Sequence, residues 1–498
     1  MDTLTQIFEL LLTTPLVPAA AAGVAWGILG GALPGISPSI TMALVLPFTY
    51  GMDPGSAIVM LSATYVGAEY GGSIPAILIN TPGTNAAAAT VLDGYAMQQL
   101  GRGGEALGIS LYSGVIGSFF GLLMLVLLTE PLARVALAFT PMAYFALGIL
   151  GLSVIASLSG ESLLKGLAAG LIGLMVATVG SDPISGVPRF TFGEADLLDG
   201  IPPILIMVGL FAVSELLQQS STGEWQKADR TRTRLKFPSG RLRRRLLKPQ
   251  LFGSVIGTFE GVMPGAGGTI ASFMSYNEAR RWSRHPEEFG KGSPEGIAAP
   301  EAANNTVAAT ALVPVLSFGI PGSNSAAILL GGLLVHGLIP GPRLFEENGD
   351  VILSLYTGLF FATISMAILG MLILPACLWL VNRPKAYLMA FIYALIFSGV
   401  YSIDYSLFDL ALVLAAGAMG LLMRLVGLPF LPTVLGVVLG YLVESNYRRS
   451  LVLSGGDHMI FVEDRIALGL LAVAALFIFG SLATRAWLLV RRRGSAAK

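Results

Sequence analysis

Long stretches without charged side chains are the feature that most constrains what this chain can fold into. Residues 135–160, 351–382 and 466–484 contain no Asp, Glu, Lys or Arg. Each stretch is at or near the roughly 20 residues needed to cross a hydrocarbon core about 30 Å thick. Charged residues make up 12% of the 498 residues, against about 25% in a soluble domain. The sequence therefore predicts an all-α polytopic membrane protein with about 12 transmembrane helices.

The charges that are present predict the orientation of the chain. Residues 227–248 carry ten Lys and Arg against one Asp, and three arginines lie at 491–493. The positive-inside rule places both segments in the cytoplasm. The N-terminus is acidic and lacks the basic region of a secretory signal, so the first apolar stretch is predicted to be retained, with the N-terminus outside. Next to membrane segments, the basic run favours a cytoplasmic linker over nucleic-acid binding.

The two halves of the chain resemble each other in the same order. "GILGGALPG" at 27–35 matches "GTFEGVMPG" at 257–265, and "PAILINTPGTNAA" at 75–87 matches "PVLSFGIPGSNSA" at 314–326. A cytoplasmic linker and an external N-terminus give the first unit an odd number of crossings, so the second unit runs the opposite way, as in inverted-repeat transporters. The predicted parts are a first transmembrane repeat at 10–220, a basic linker at 221–249, a second repeat at 250–447 and an extra helix at 466–490.

Pro-Gly pairs interrupt both predicted repeats at matching places, namely Pro34-Gly35, Pro82-Gly83, Pro264-Gly265 and Pro321-Gly322. Proline removes a backbone donor and breaks a helix. In a bilayer the freed groups must be buried in protein or face a water-filled cavity. Ser, Thr, Asn and Gly follow each pair, and such residues cap helix starts or let a ligand approach the backbone. We therefore expect broken or re-entrant helices, although Gly and Pro also occur in membrane helices as simple kinks and packing points.

A helix that starts inside the membrane directs free N–H groups and a partial positive charge at whatever occupies the cavity, which suits an anion. The predicted substrate-binding residues lie at these helix starts, and they are Gly35, Ser37, Thr81, Gly83, Thr84, Asn85, Gly265, Gly267, Gly322, Ser323 and Asn324. The expected ligand is a carboxylate.

Acidic and amide side chains inside uncharged stretches are candidates for a coupling cation, either Na+ or H+. Glu69 is the one charged residue between 55 and 91, and a charge in the membrane has a function or a partner. Glu301 and Asn305 are four residues apart and share a helical face. The predicted cation-site residues are Glu69, Asn80, Glu301, Asn304 and Asn305. Structural hydrogen bonding within or between helices is the alternative for each of them.

An enzyme is disfavoured by the same sequence. The chain contains no HExxH or GxSxG motif, and its three histidines at 285, 336 and 458 lack the spacing of metal ligands. No cofactor or structural metal is expected besides the coupling ion.

Three long motifs carry a family resemblance. They are "GGALPGISPSITMALVLPFTYGMDP" (30–54), "YGGSIPAILINTPGTNAAAATVLDGYAM" (70–97) and the segment from "FGKGSPEG" to "LIPGP" (289–342). The sequence resembles the large membrane subunit of the tripartite tricarboxylate transporter family, TctA, over nearly its whole length.

This resemblance implies a secondary transporter in the bacterial inner membrane, and the charge distribution predicts a periplasmic N-terminus and a cytoplasmic C-terminus. It implies two protein partners, a small membrane subunit and a periplasmic substrate-binding protein that delivers a carboxylate such as citrate. Import would be driven by a Na+ or H+ gradient. A stand-alone carrier or a channel for another small organic anion remains the alternative.

Overall fold

The fold is almost entirely helical, as the sequence predicts for a chain that spans a bilayer. A computed structural model describes residues 3–158, 162–182, 186–220, 235–263 and 267–496. In the described residues, two short strands, Gly180–Ser181 and Pro188–Arg189, pair antiparallel.

The first half contains eleven described helices. They are α1 (Thr3–Thr13), α2 (Leu16–Gly31), α3 (Pro38–Val45), α4 (Pro54–Gly71), α5 (Ser73–Ile79), α6 (Ala88–Gln99), α7 (Gly103–Ala136), α8 (Pro141–Leu158), α9 (Leu163–Ala177), α10 (Pro203–Met207) and α11 (Ser214–Ser220). A π-helical segment, Val208–Val213, joins α10 to α11, and 3-10 turns lie at Leu46–Thr49 and Ala195–Leu197.

The second half contains thirteen described helices and a 3-10 turn at Pro286–Glu288. The helices are α12 (Gly240–Val262), α13 (Gly267–Trp282), α14 (Pro294–Thr310), α15 (Leu312–Phe318), α16 (Asn324–Val335), α17 (Pro342–Glu347), α18 (Gly349–Leu372), α19 (Leu374–Val381), α20 (Lys385–Asp404), α21 (Leu407–Val426), α22 (Phe430–Leu453), α23 (Ile460–Glu463) and α24 (Arg465–Ala496).

Five helices in the described part of the chain are long and apolar enough to cross a membrane by themselves. They are Gly103–Ala136, Pro203–Ser220, Gly349–Leu372, Ala386–Asp404 and Leu407–Val426. A sixth results if Thr5–Thr13 and Leu16–Gly31, which meet at 69°, form one bent span. The figure of about 12 spans stays a prediction, because broken helices such as α5 and α6 are each too short to cross alone.

The order of helices in residues 54–79 is repeated in residues 294–318. Asp53 caps α4 and Ser293 precedes α14, with a proline in the first position of each helix. The short helices α5 and α15 follow, and each ends at a residue in the left-handed conformation, Asn80 (φ 56°) and Gly319 (φ 70°). Left-handed residues are common helix terminators. In both places another helix follows. Helices α5 and α6 pack along each other, whereas α15 and α16 contact each other little. We call α5–α6 the first hairpin and α15–α16 the second hairpin.

Glycines at four-residue intervals bring the neighbouring helices of each half close together. A methyl group on the glycines of α2 would overlap backbone atoms of α4, and one on the glycines of α12 would overlap atoms of α14. These glycines are Gly23, Gly27 and Gly31 on α2, and Gly253, Gly257 and Gly261 on α12. Small residues repeated every four positions are typical of tightly packed membrane helices.

The two halves interlock rather than pack as separate blocks. Helix α7 of the first half packs on α14, and α18 of the second half packs on α4. Helix α3 contacts α16 of the second hairpin, while α13 contacts α6 of the first hairpin. This crossed packing places both hairpins in the interior.

Candidate functional site

The first hairpin turns at Gly83, which is held between two other segments. Its amide donates to the carbonyl oxygen of Gly72 at 3.0 Å. A methyl group on Gly83 would overlap the carbonyl oxygen of Gly31 at the end of α2. The buried Thr84 side chain accepts from the amide of Ala87 at 3.2 Å, so a hydroxyl satisfies a free donor just before α6.

The second hairpin has an equivalent cap. The Ser323 hydroxyl accepts from the amide of Ala326 at 3.1 Å and starts α16. Gly322 before it is buried. The asparagine that follows the cap is exposed in both hairpins, Asn85 in the first and Asn324 in the second. Both tips therefore present one polar side chain from an otherwise largely buried turn.

Other predicted substrate-binding residues form their hydrogen bonds outside the Asn304 junction. Ser37 caps α3 by accepting from the amide of Ile40 at 3.3 Å. Gly35 has a φ of 82°, and its carbonyl oxygen accepts from Gln219 at 2.8 Å. The Thr81 hydroxyl donates to the carbonyl oxygen of Ile79 at 3.2 Å. Gly265, another predicted substrate-binding residue, lies outside the described residues.

Three helix starts from both halves meet around Asn304. A Cβ atom placed on Gly268, in the first turn of α13, would overlap Oδ1 of Asn304 and lie 3.4 Å from Cβ of Ala86. A Cβ atom on Gly267 would lie 3.9 Å from Cβ of Ser323. The start of α13, the tip of the first hairpin and the cap of the second hairpin thus border one place, which we call the Asn304 junction.

Glu69 lies at the edge of the Asn304 junction. Nδ2 of Asn304 donates to Oε2 of Glu69 at 2.9 Å, and the Thr84 side chain lies close to this carboxyl group. Tyr65, one helical turn earlier on α4, lies beside Glu69 and close to the side chain of Ser323. Oδ1 of Asn304 is buried and has no hydrogen-bond partner among the described residues. Glu69 therefore contacts the first hairpin and, through Tyr65, the second.

Glu301 occupies a separate polar cluster one turn before Asn304 on α14. Its Oε1 accepts from the hydroxyls of Ser73, at 2.5 Å, and Thr90. Its Oε2 accepts from the hydroxyl of Ser110 at 3.0 Å. Because these residues lie on α5, α6 and α7, the carboxyl group joins three helices of the first half to the second half. We call these four residues the Glu301 cluster.

The structure separates the remaining predicted cation-site residues. Asn305 turns its amide nitrogen to the backbone carbonyl of Glu301 at 3.1 Å, so the two side chains do not meet as a pair. Its Oδ1 is buried without a hydrogen-bond partner among the described residues. Asn80 ends α5 with an exposed side chain.

Sequence reasoning missed five residues of these two clusters, namely Tyr65, Ser73, Thr90, Ser110 and Gly268. For the four residues other than Gly268, the available signal was a hydroxyl group within a charge-free apolar stretch, which requires a partner once it is buried. The described residues contain no group of three or more His, Cys, Asp or Glu side chains that could hold a metal ion. The Asn304 junction brings helix starts together, and helix starts suit the binding of an anion. Glu69 and Oδ1 of Asn304 add hydrogen-bond acceptors at its edge.

Apolar helices long enough to cross a bilayer, together with broken helices that carry buried polar side chains, are those of a polytopic membrane protein. Residues 17–435 match the family described as Tripartite tricarboxylate transporter TctA family. The chain belongs to this family, and the resemblance predicted from its motifs is confirmed.

Two relatives come from Agrobacterium vitis. The "Uncharacterized 52.8 kDa protein in TAR-I ttuC' 3'region" is 38% identical over 472 residues, which cover 94% of this chain and 93% of that protein. The "Uncharacterized protein in TAR-II ttuC' 3'region" is 34% identical over 224 residues, which cover 45% of this chain and 92% of that protein. No solved structure matches the chain.

Proposed function

We propose that this chain is the large permease subunit of a binding-protein-dependent secondary transporter that imports di- or tricarboxylates together with a cation. The observation that carries the proposal is the Asn304 junction, where the starts of helices from both halves converge. Each helix start contributes about 0.3 to 1 kcal/mol to anion binding at a surface, and up to about 2 kcal/mol when partly buried. Several converging starts offset part of the cost of desolvating a carboxylate without a fixed Lys or Arg.

The two halves act in this proposal as inverted repeats. Support comes from the helix order shared by 54–79 and 294–318 and from the crossed packing of α7 on α14 and of α18 on α4. Inverted repeats with broken helices at their interface are a recurring transporter architecture, in which one unit moves against the other around a fixed site.

The proposed orientation places the N-terminus in the periplasm and the C-terminus in the cytoplasm of a bacterial inner membrane. It leaves Arg448 near the periplasmic surface, against the usual preference of basic residues for the cytoplasm. Arg448 pairs with Asp182 at 2.8 Å and with Glu444 at 2.9 Å, so its charge is compensated locally. The tripartite family further supports a small membrane subunit and a periplasmic binding protein as partners.

In this mechanism the cation binds at the carboxyl group of Glu69. A bare carboxylate at the edge of an anion site repels the substrate, whereas a carboxyl group neutralised by a bound cation does not. Glu69 therefore favours joint entry of cation and carboxylate over entry of the anion alone.

Uptake into proteoliposomes tests the proposal. We expect Gly268→Val, whose Cβ would overlap Oδ1 of Asn304, to lower uptake of labelled di- and tricarboxylates at least about tenfold, because the added side chain displaces Asn304 and obstructs the helix starts. Gly51→Val is the matched control, since no atom lies within 4 Å of the Cβ position at Gly51. Equal uptake by both variants, in equally folded protein, would reject the Asn304 junction as the substrate site.

The same assay separates the alternatives. Uptake that requires the cognate binding protein and the small membrane subunit supports the tripartite mechanism. Equal uptake without them identifies a stand-alone carrier, and ion conductance without saturable uptake identifies a channel.

A further inference from the structure

The start of α12 and the end of α13 lie side by side and hold two basic side chains around one indole ring. Nζ of Lys248 lies 5.5 Å from the centre of the Trp282 ring, and Cζ of Arg281 lies 5.9 Å from the same centre. The Trp282 ring stacks on Phe252 with 6.4 Å between ring centres. Cations at such distances are attracted to the face of an aromatic ring. Both charges are therefore held at one place on the surface.

The basic side chains at the start of α12 differ in their partners. Arg245 pairs with Glu288 at 2.6 Å and with Glu295 at 2.7 Å, so its charge is compensated within the chain. Lys248, and Arg244 one turn before it, form no ion pair with any residue that the structure describes. Residues four apart share a helical face, so these two charges lie on the same side of α12.

One acidic side chain lies among these groups. Oε1 of Glu278 is 3.6 Å from Nη1 of Arg281, and its Oε2 accepts from Nε1 of Trp282 at 3.0 Å. Arg244, Lys248 and Arg281 are all exposed. Three basic groups against this one acid leave a positively charged surface. We call Arg244, Lys248, Arg281 and Trp282 the basic patch.

The helix face that begins with the basic patch continues as an apolar surface. Leu251, Val255 and Phe259 follow Lys248 at helical spacing, and they are 55%, 40% and 68% exposed. The helix rises about 16 Å from Lys248 to Phe259. This length is close to the roughly 15 Å of hydrocarbon in one leaflet of a bilayer whose core is about 30 Å thick. Tryptophan is typical of the boundary between headgroups and hydrocarbon. Positive charge, indole and apolar side chains thus stand in the order of the layers of a membrane leaflet.

The chemistry of this surface selects its occupant. Ammonium and guanidinium groups bind phosphate oxygens. The uncompensated charge favours an anionic headgroup over a zwitterionic one, and the exposed apolar face favours a ligand with acyl chains over a soluble phosphate. We propose that the basic patch binds the phosphate headgroup of an anionic phospholipid, with an acyl chain along Leu251, Val255 and Phe259.

The first half has no equivalent of the basic patch on its matching helix. Thr14 and Pro18 stand 230 residues before Arg244 and Lys248, which is the offset between the matching segments 27–35 and 257–265. Neither residue carries a charge. The basic patch is therefore a feature of the second half rather than of the helix design that the two halves share.

The bound lipid acts on α13. This helix ends at Trp282 in the basic patch and begins at Gly267 and Gly268, which border the Asn304 junction. A helix of 16 residues is about 24 Å long. A lipid that fixes the end of α13 against α12 also holds the start of α13 at the Asn304 junction. This consequence for uptake rests on the proposed function, whereas the lipid site itself does not.

Quenching of tryptophan fluorescence by brominated lipids measures occupancy of the basic patch. The full-length chain is reconstituted in phosphatidylcholine vesicles with increasing phosphatidylglycerol, and one of the two lipids is brominated on its acyl chains. The difference between the chain and Trp282→Phe gives the signal of Trp282. We expect brominated phosphatidylglycerol to reach half-maximal quenching at a several-fold lower mole fraction than brominated phosphatidylcholine. Lys248→Gln and Arg244→Gln should each raise that mole fraction about fivefold, which corresponds to about 1 kcal/mol per basic residue at a membrane surface.

Arg102→Gln is the matched control. Arg102 lies at the same end of the molecule, because the amide of Lys236, just before α12, donates to the carbonyl oxygen of Gly104 at 2.7 Å. Its charge is already paired with Glu105 at 2.9 Å. We therefore expect Arg102→Gln to leave the preference for phosphatidylglycerol unchanged. Equal weakening by Arg102→Gln and Lys248→Gln would show a general effect of surface charge and overturn the site.

Two further results would overturn the lipid site. Equal quenching of Trp282 by the two brominated lipids would show ordinary contact with the bilayer, and loss of the preference on adding millimolar glycerol phosphate would identify a site for soluble phosphates. Carboxylate uptake is measured in the same vesicles. Selective quenching without uptake retains the lipid site and rejects the proposed function, whereas uptake without selective quenching rejects the lipid site and retains the proposed function.

Discussion

The two hairpins share a backbone design but are held in place by different chemistry. Each begins with a seven-residue helix that ends in a left-handed residue and turns back through a hydroxyl cap. The first hairpin is tied to the second half by the hydroxyls of Ser73 and Thr90 on Glu301. At the corresponding positions the second hairpin has Leu312 and Leu329, both fully buried.

This difference shows that related helix geometry does not require equal roles. Apolar contacts of Leu312 and Leu329 are insensitive to ions, whereas a carboxylate that joins three hydroxyl groups responds to any change in its charge. The position of the first hairpin therefore depends on the hydrogen bonds of the Glu301 cluster. The second hairpin supplies a constant surface on the other side of the Asn304 junction.

The largest expected effect on stability is at the turn of the first hairpin. Gly83→Ala places a methyl group against the carbonyl oxygen of Gly31 and 2.8 Å from Cα of Gly72. Backbone atoms cannot move aside as a side chain can, so we expect the free energy of unfolding to fall by about 1 to 3 kcal/mol. Thermal unfolding of the purified protein measures it.

Gly51→Ala is the control for this substitution, because the Cβ position at Gly51 has open space around it. A melting temperature of Gly83→Ala equal to that of Gly51→Ala would show that the first hairpin is not packed against α2 as described.

The positions where helices break were predictable from the sequence, since Pro-Gly pairs and hydroxyl residues act locally. Thr84 and Ser323 cap residues a few positions away, and both lie at the predicted breaks. The partners of Glu301 were not predictable. Ser73 and Thr90 lie 228 and 211 residues away along the chain, and no local periodicity specifies such contacts.

The helical fold followed from composition, because a bilayer leaves helices as the simplest way to satisfy every backbone group. The interlocking of the halves did not follow. It depends on which faces carry the glycines of α2 and α12, and a glycine in an apolar stretch does not reveal its neighbour.

A smaller effect is expected where α5 and α15 end. Gly319→Ala forces an alanine into a left-handed conformation at φ 70°. This should lower the free energy of unfolding by about 1 to 2 kcal/mol. Asn80→Gly removes a side chain from the same conformation at φ 56° and is expected to leave stability unchanged or slightly raised. The difference in melting temperature between the two variants measures the contrast. Equal destabilisation would mean that one of these helices ends differently.

The smallest effect on stability is expected at the exposed asparagines of the two tips. Asn85→Ala and Asn324→Ala remove exposed side chains. Each should therefore change the free energy of unfolding by less than about 0.5 kcal/mol. If both tips face the carboxylate, each loss of a hydrogen bond raises the KM for uptake about 3- to 10-fold. Two hydroxyls of the first hairpin and none of the second bond to Glu301, so Glu301→Gln should change the KM effect of Asn85→Ala and leave that of Asn324→Ala unaltered. An equal change in both variants would show that the hairpins respond together and differ only in their packing.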